Sequence, residues 1–230
     1  MHLKAGLHAP LGAFLLAATL PISALAGGSA TVLAGGKTTH LAWQTQGAVR
    51  VQQQSSGNYL LVRGDKAYSV TYQGQQPLVM EVGGLLQGLG ALAQSRPNQY
   101  LPEQVDQVKD LGKRETVAGI AGHVYQLTVT DTQGKRHITD AVLTDDPLVV
   151  NMSDTYLHTM DTLLGASTAQ KLTAALPAQR RGILRLGRDF TLESISGSEP
   201  AASQFALPAQ PTQLQNLLQG LQGLTGGQAR

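Results

Sequence analysis

Between residues 49 and 82 the chain sets apolar side chains at every second position in short segments, each cut off by turn residues. Val49 and Val51 flank Arg50, and Tyr59 to Val62 is a short apolar run. Tyr68, Val70 and Tyr72 alternate with Ser69 and Thr71, and Leu78, Met80 and Val82 follow with Val79 and Glu81 between them. Alternation of this kind gives a strand one apolar face. The breaks at Ser55-Ser56-Gly57-Asn58, Arg63-Gly64-Asp65-Lys66 and Gln73-Gly74 are turn chemistry. Connections this short cannot make the crossover a parallel pair needs, so the segment predicts an antiparallel meander.

The second half repeats the pattern and adds helices. Sheet structure resumes near Val105, and Glu115 to Gly119 leads to a turn expected around Gly122. Tyr125, Leu127 and Val129 alternate, Asp131 to Lys135 turns, and His137 to Leu143 returns as the partner strand. Asp146 is a suitable N-cap and Pro147 suits the first helical position. The helix they start carries Val149, Met152, Tyr156, Met160, Leu163 and Leu164 on one stripe, with Gly165 placed to end it. Ser167-x-x-Gln170 resembles a capping box for a second helix stopped at Pro177. Ile183–Leu186 and Phe190–Ile195 read as strands, and Ser203 to Pro208 as a final short one. Leu85, Leu86, Leu89 and Leu92 have helical spacing but share their segment with glycines. The whole predicts an α+β fold, one antiparallel sheet with helices inserted between strands.

The first 26 residues have the pattern of a secretory signal peptide. Lys4 gives the positive start, Leu11 to Ile22 the apolar stretch, and Ala24-Leu25-Ala26 the cleavage motif. The stretch is short for a bilayer, which needs about 20 residues. The expected organisation is a signal peptide over 1–26, a loose lead-in over 27–37, a sheet domain over 38–208, and a leucine-rich tail over 209–230. In that tail Leu214, Leu217, Leu218 and Leu221 share one helical face. The mature chain is expected in the periplasm or secreted, not membrane-spanning. The chain has no cysteine, which rules out disulfides and thiolate chemistry. Charged residues are 14% of it and the formal net charge is +2, too sparse a basic surface for nucleic acid as main partner.

Three segments carry a resemblance. Tyr59 to Val70 is a pair of strands joined by a Gly-Asp-Lys turn. Glu115 to Tyr125 fits the pattern E-x-V-A-G-x-x-x-x-x-Y leading into a hairpin. Phe190 to Ile195 is followed by Phe205-Ala206-Leu207-Pro208, a closing F-x-L-P. In this order they resemble the LolA-like group of periplasmic proteins, closest to its uncharacterised domains rather than to the lipoprotein carriers. The resemblance implies a strongly curved antiparallel sheet, a half-open barrel, with helices across its concave face. It implies no catalytic residues.

Nothing in the sequence assembles a catalytic set: no G-x-S-x-G and no phosphate-cradling loop occurs. His158 has Asp154 and Asp161 at helical spacing, but points away from the apolar stripe and reads as solvated, so no metal is assigned. His123, Asp131, His137 and Asp140 share one hairpin without a shared face being implied. No cofactor is expected. Tyr68, Val70, Tyr72, Leu78, Met80, Tyr125, Leu127 and Val129 are the candidates to line a ligand pocket. Arg180, Arg181, Arg185 and Arg188 form the densest basic stretch and are the candidate partner surface. The expectation is a non-enzymatic module that holds a lipid, another apolar ligand or a protein segment between sheet and helices. The alternative is a structural or regulatory protein with a filled interior that docks another envelope protein.

Overall fold

The computed structural model describes residues 27–45, 47–82, 104–131, 133–164 and 168–212. The first six strands run in chain order: β1 Gly28–Ala34, β2 Lys37–Trp43, β3 Val49–Gln53, β4 Tyr59–Arg63, β5 Lys66–Gln73 and β6 Gln76–Glu81. Then come β7 Gln104–Val117, β8 Ile120–Thr130 and β9 Arg136–Thr144. Helices α1 Pro147–Leu164 and α2 Thr168–Ala175 follow, then β10 Gly182–Leu186, β11 Phe190–Ser196 and a 3-10 turn over Ala202–Phe205.

All eleven strands join one sheet in the order β6-β5-β4-β3-β2-β1-β11-β10-β9-β8-β7. Every pairing between them is antiparallel. The fold is two meanders fused along the β1–β11 pair, and β6 and β7 are the two outer edges. The sheet is therefore open and not a closed barrel.

Residues 28–34, expected as part of a loose lead-in, form a strand at the middle of the sheet. Their small side chains hid it, yet Ala30 and Val32 are core. The small residues have a purpose. A Cβ on Gly28 would sit 2.5 Å from the Trp43 ring and 2.7 Å from the Ser196 carbonyl oxygen. The β7–β8 turn lies at Ala118-Gly119, both with positive φ, and Gly122 is inside β8 rather than at the turn. The final short strand expected over Ser203 to Pro208 is not formed; a 3-10 turn over Ala202–Phe205 takes up its first part. The helix expected over 83–94, the Gly165 stop, the Ser167 cap and the tail helix lie outside the described residues.

Asp146 caps α1 as expected, its Oδ1 accepting from the backbone N–H groups of Leu148 (3.0 Å) and Val149 (3.1 Å). The helix has 18 residues and so is ~27 Å long. It packs on the sheet, touching β10, β1 and β5. Two hydrogen bonds pin it there. Trp43 Nε1 donates to Asn151 Oδ1 at 2.6 Å. The ladder between β9 and β10 shifts register at Ile183, whose N–H donates instead to the buried Ser153 Oγ at 2.9 Å.

The core has three parts. Under α1, Val149, Met152 and Leu163 join a cluster with Val32, Leu41, Trp43, Val62, Leu184 and Leu192. Beside it, Leu157 and Leu172 of the helices, with Leu176 just past α2, cover Tyr125, Leu127, Leu143 and Ile183. On the opposite face of β4 and β5, Tyr59, Leu61, Tyr68 and Val70 pack with Val79 beneath Phe205. Successive strand residues point to opposite faces, so β4 and β5 are buried on both sides. That is why Tyr59 to Val62 is continuously apolar.

Candidate functional site

An apolar space lies where α1 and α2 meet the ends of β1, β10 and β11. It is a cavity of about 210 Å³. The helices contribute Met152, Tyr156, Leu157, Met160 and Leu172, and the strands Ala34, Ile183, Leu186 and Phe190. Met152, Tyr156 and Met160 are four residues apart, so one helical row faces the space. Their reach is fixed by the two hydrogen bonds that anchor Asn151 and Ser153. The rings of Tyr156 and Phe190 meet at 5.9 Å between centroids, tilted by 38°. Burial pushes the Tyr156 phenol up from its ordinary pKa, so it stays neutral through physiological pH.

The rim is made by tight turns. Gly35 and Gly36 take positive φ, the conformation a two-residue hairpin turn between β1 and β2 requires. The Gly35 N–H donates to the Asp189 carbonyl at 2.9 Å, and Asp189 N–H to that of Leu186 at 3.1 Å. Gly187 N–H donates to the Asp140 carbonyl at 2.7 Å. The β1–β2 and β10–β11 turns and strand β9 are thus tied together by backbone. Asp189 is exposed and lines the cavity beside them.

Tyr156 and Met160 also line a second, more open hollow of about 380 Å³ on their other side. Its remaining wall mixes Ala34, Val51 and Leu60 with the polar Gln53, Asn58 and Ser69. The apolar chamber and this mixed hollow share Ala34, Tyr156 and Met160 as lining.

None of the eight sequence-derived pocket candidates lines the chamber. Tyr68 and Val70 lie under Phe205 on the far face, and Tyr72 is 43% exposed. Leu78 and Met80 are half-buried on the outer strand β6, and Met80 packs on the core cluster of α1. Tyr125, Leu127 and Val129 are packed beneath the helices. The residues that do line the chamber were legible only in part, as the apolar stripe of α1. Phe190 stood only in a strand motif, while Leu172, Asp189 and Ala34 carried no signal as lining.

The arginines are mostly engaged within the chain. Arg185 grips Glu115 with two hydrogen bonds, 2.9 and 2.8 Å, and this holds the Glu115 carboxyl below its ordinary pKa. Arg180 donates to the Tyr125 hydroxyl at 2.6 Å and lies 3.7 Å from Asp110. Arg181 pairs with Asp154 at 3.3 Å. Arg188 is exposed in the β10–β11 turn and forms no ion pair among the described residues.

Of the histidines, His158 is exposed, and the Asp154 beside it is taken by Arg181. His137 Nε2 is 2.7 Å from Asp131 Oδ2, and that contact holds the Asp131 carboxyl low, helped by the Lys135 and Gln133 N–H groups. Among the described residues no three potential ligands gather as a metal site. No helix among them is long and apolar enough to cross a membrane. The chain was compared with protein-family models, curated proteins and solved structures, and none matches.

Proposed function

We propose that this chain is a non-enzymatic binding module that holds an apolar ligand between its sheet and its helices. It would be exported with residues 1–26 as signal peptide and act in the periplasm as a LolA-like half-open barrel. One observation carries the reading: the chamber of about 210 Å³ behind Tyr156, walled by thioether, aliphatic and aromatic groups. Apolar spaces of about 150 Å³ already stay dry and accept a molecule such as benzene. Methionines suit such a wall, because their flexible side chains adapt to different ligands. The wall offers a single carboxylate, Asp189, without a nucleophile and base paired beside it. That favours holding a molecule over transforming one.

Native mass spectrometry of the chain from Gly27, recovered from a periplasmic extract, tests the reading. The expected result is an adduct released by organic solvent and lost in Leu172→Trp, whose larger ring fills the chamber. A chain that carries no adduct and takes up no apolar dye would instead favour a filled protein that docks another envelope protein.

A further inference from the structure

The chamber has an apolar interior and one charge at its rim, and this allows its ligand to be narrowed. We infer that it takes a small amphiphile whose head is a cation, an aliphatic or aryl-alkyl ammonium, with the head at Asp189 and the tail against Met152 and Leu157. The inference rests on the reading of the chamber as a ligand site.

Three observations converge. Asp189 is the one acidic side chain in the lining, which contains no lysine, arginine or histidine. Ser153 and Tyr156 also line the space, and the few polar groups of an apolar pocket set the orientation of what binds there. The Asp189 backbone is fixed on both sides, by the N–H of Gly35 at 2.9 Å and the carbonyl of Leu186 at 3.1 Å. The carboxylate itself forms no ion pair among the described residues. The second observation is aromatic. Tyr156 and Phe190 both line the space, and ring faces attract cations and repel anions. The third is size. At about 210 Å³ the chamber is only modestly larger than one that holds a single benzene ring. A ring or a short alkyl chain fits it, and a long acyl chain does not fit inside it.

Arg188 is the neighbouring cation in the same turn, and it is exposed and absent from the lining. It would oppose the head only through solvent, where the interaction is screened.

The test holds the tail constant and changes the head. Octylammonium, octanol and octanoate are titrated into the chain from Gly27 at pH 7, with binding read by calorimetry. The ¹³C shifts of the Met152 and Met160 methyl groups report the place of binding. Octylammonium should bind about threefold or more tighter than octanol, the scale of one partly exposed ion pair, with octanoate weakest. Asp189→Asn should abolish the advantage of the ammonium and leave octanol unchanged. Equal binding of octanoate and octylammonium, or an advantage that survives in Asp189→Asn, would overturn the inference while octanol binding still upheld the chamber. Failure of all three to bind would remove the chamber reading itself.

Discussion

At the scale of single residues, the position of α1 depends on contacts far apart in sequence. Asn151 matches a glycosylation acceptor, yet it stands inside the helix and its carbonyl oxygen is used by Trp43. Asn151→Leu would leave the indole N–H without an acceptor in a buried site. We expect it to cost about 1–3 kcal/mol in urea unfolding, and to loosen the wall that Met152 belongs to. An unchanged midpoint would show that the hydrogen bond does not position the helix. The Glu115 carboxyl gives a pH signature. Its pKa is lower in the folded state than in the unfolded chain. The stability it contributes is therefore fully present above the ordinary carboxylate pKa and is lost as pH falls through the folded value. Glu115→Gln should be less stable than the parent at pH 7, and the two should converge in acid. A gap independent of pH would assign the effect to packing instead. Of these features only the Asp146 cap could be read locally. Trp43 and Asn151 are separated by 108 positions, and no spacing rule links them.

At the scale of elements, the strands with bulky alternating residues were legible and those with small residues were not. Strand β1 begins Gly-Ser-Ala because it passes beneath Trp43, so the same contact that needs the strand removed its signal. The stretch 202–207 has the period-two look of a strand in Phe205 and Leu207. It is a strap instead, with Phe205 as anchor over Tyr59, Leu61 and Val70. Phe205→Ala should therefore cost about 3–5 kcal/mol, the range of a buried aromatic truncation. A loss below about 1 kcal/mol in the same unfolding assay would mean that the strap is dispensable. The β7–β8 turn gives the opposite sign. Ala118 has a φ of 51°, a left-handed conformation costly for a residue with a Cβ. Ala118→Gly should raise the melting temperature slightly, and a fall would show that the side chain outweighs the strain.

At the scale of the molecule, turn chemistry revealed both meanders but not their fusion, because a turn speaks only for neighbouring strands. The β1–β11 pairing joins residues near 30 to residues near 195. The same limit explains why the pocket candidates missed the chamber. Alternation marks two faces without saying which one a helix leaves open. Tyr68 and Val70 belong to the face closed by Phe205, whereas the open space formed along the helical row of Met152, Tyr156 and Met160.

The central claim is that this space is open and apolar in the folded protein. Xenon enters apolar cavities of this size, and methionine methyl groups report its arrival. The measurement is a xenon-pressure titration of the chain from Gly27 with ¹³C-labelled methionine methyls. Met152 and Met160 should shift together and saturate, and Met80, which does not line the chamber, should show only the uniform effect of pressure. Three methyl groups that drift alike, with no saturating site at Met152 and Met160, would contradict the claim.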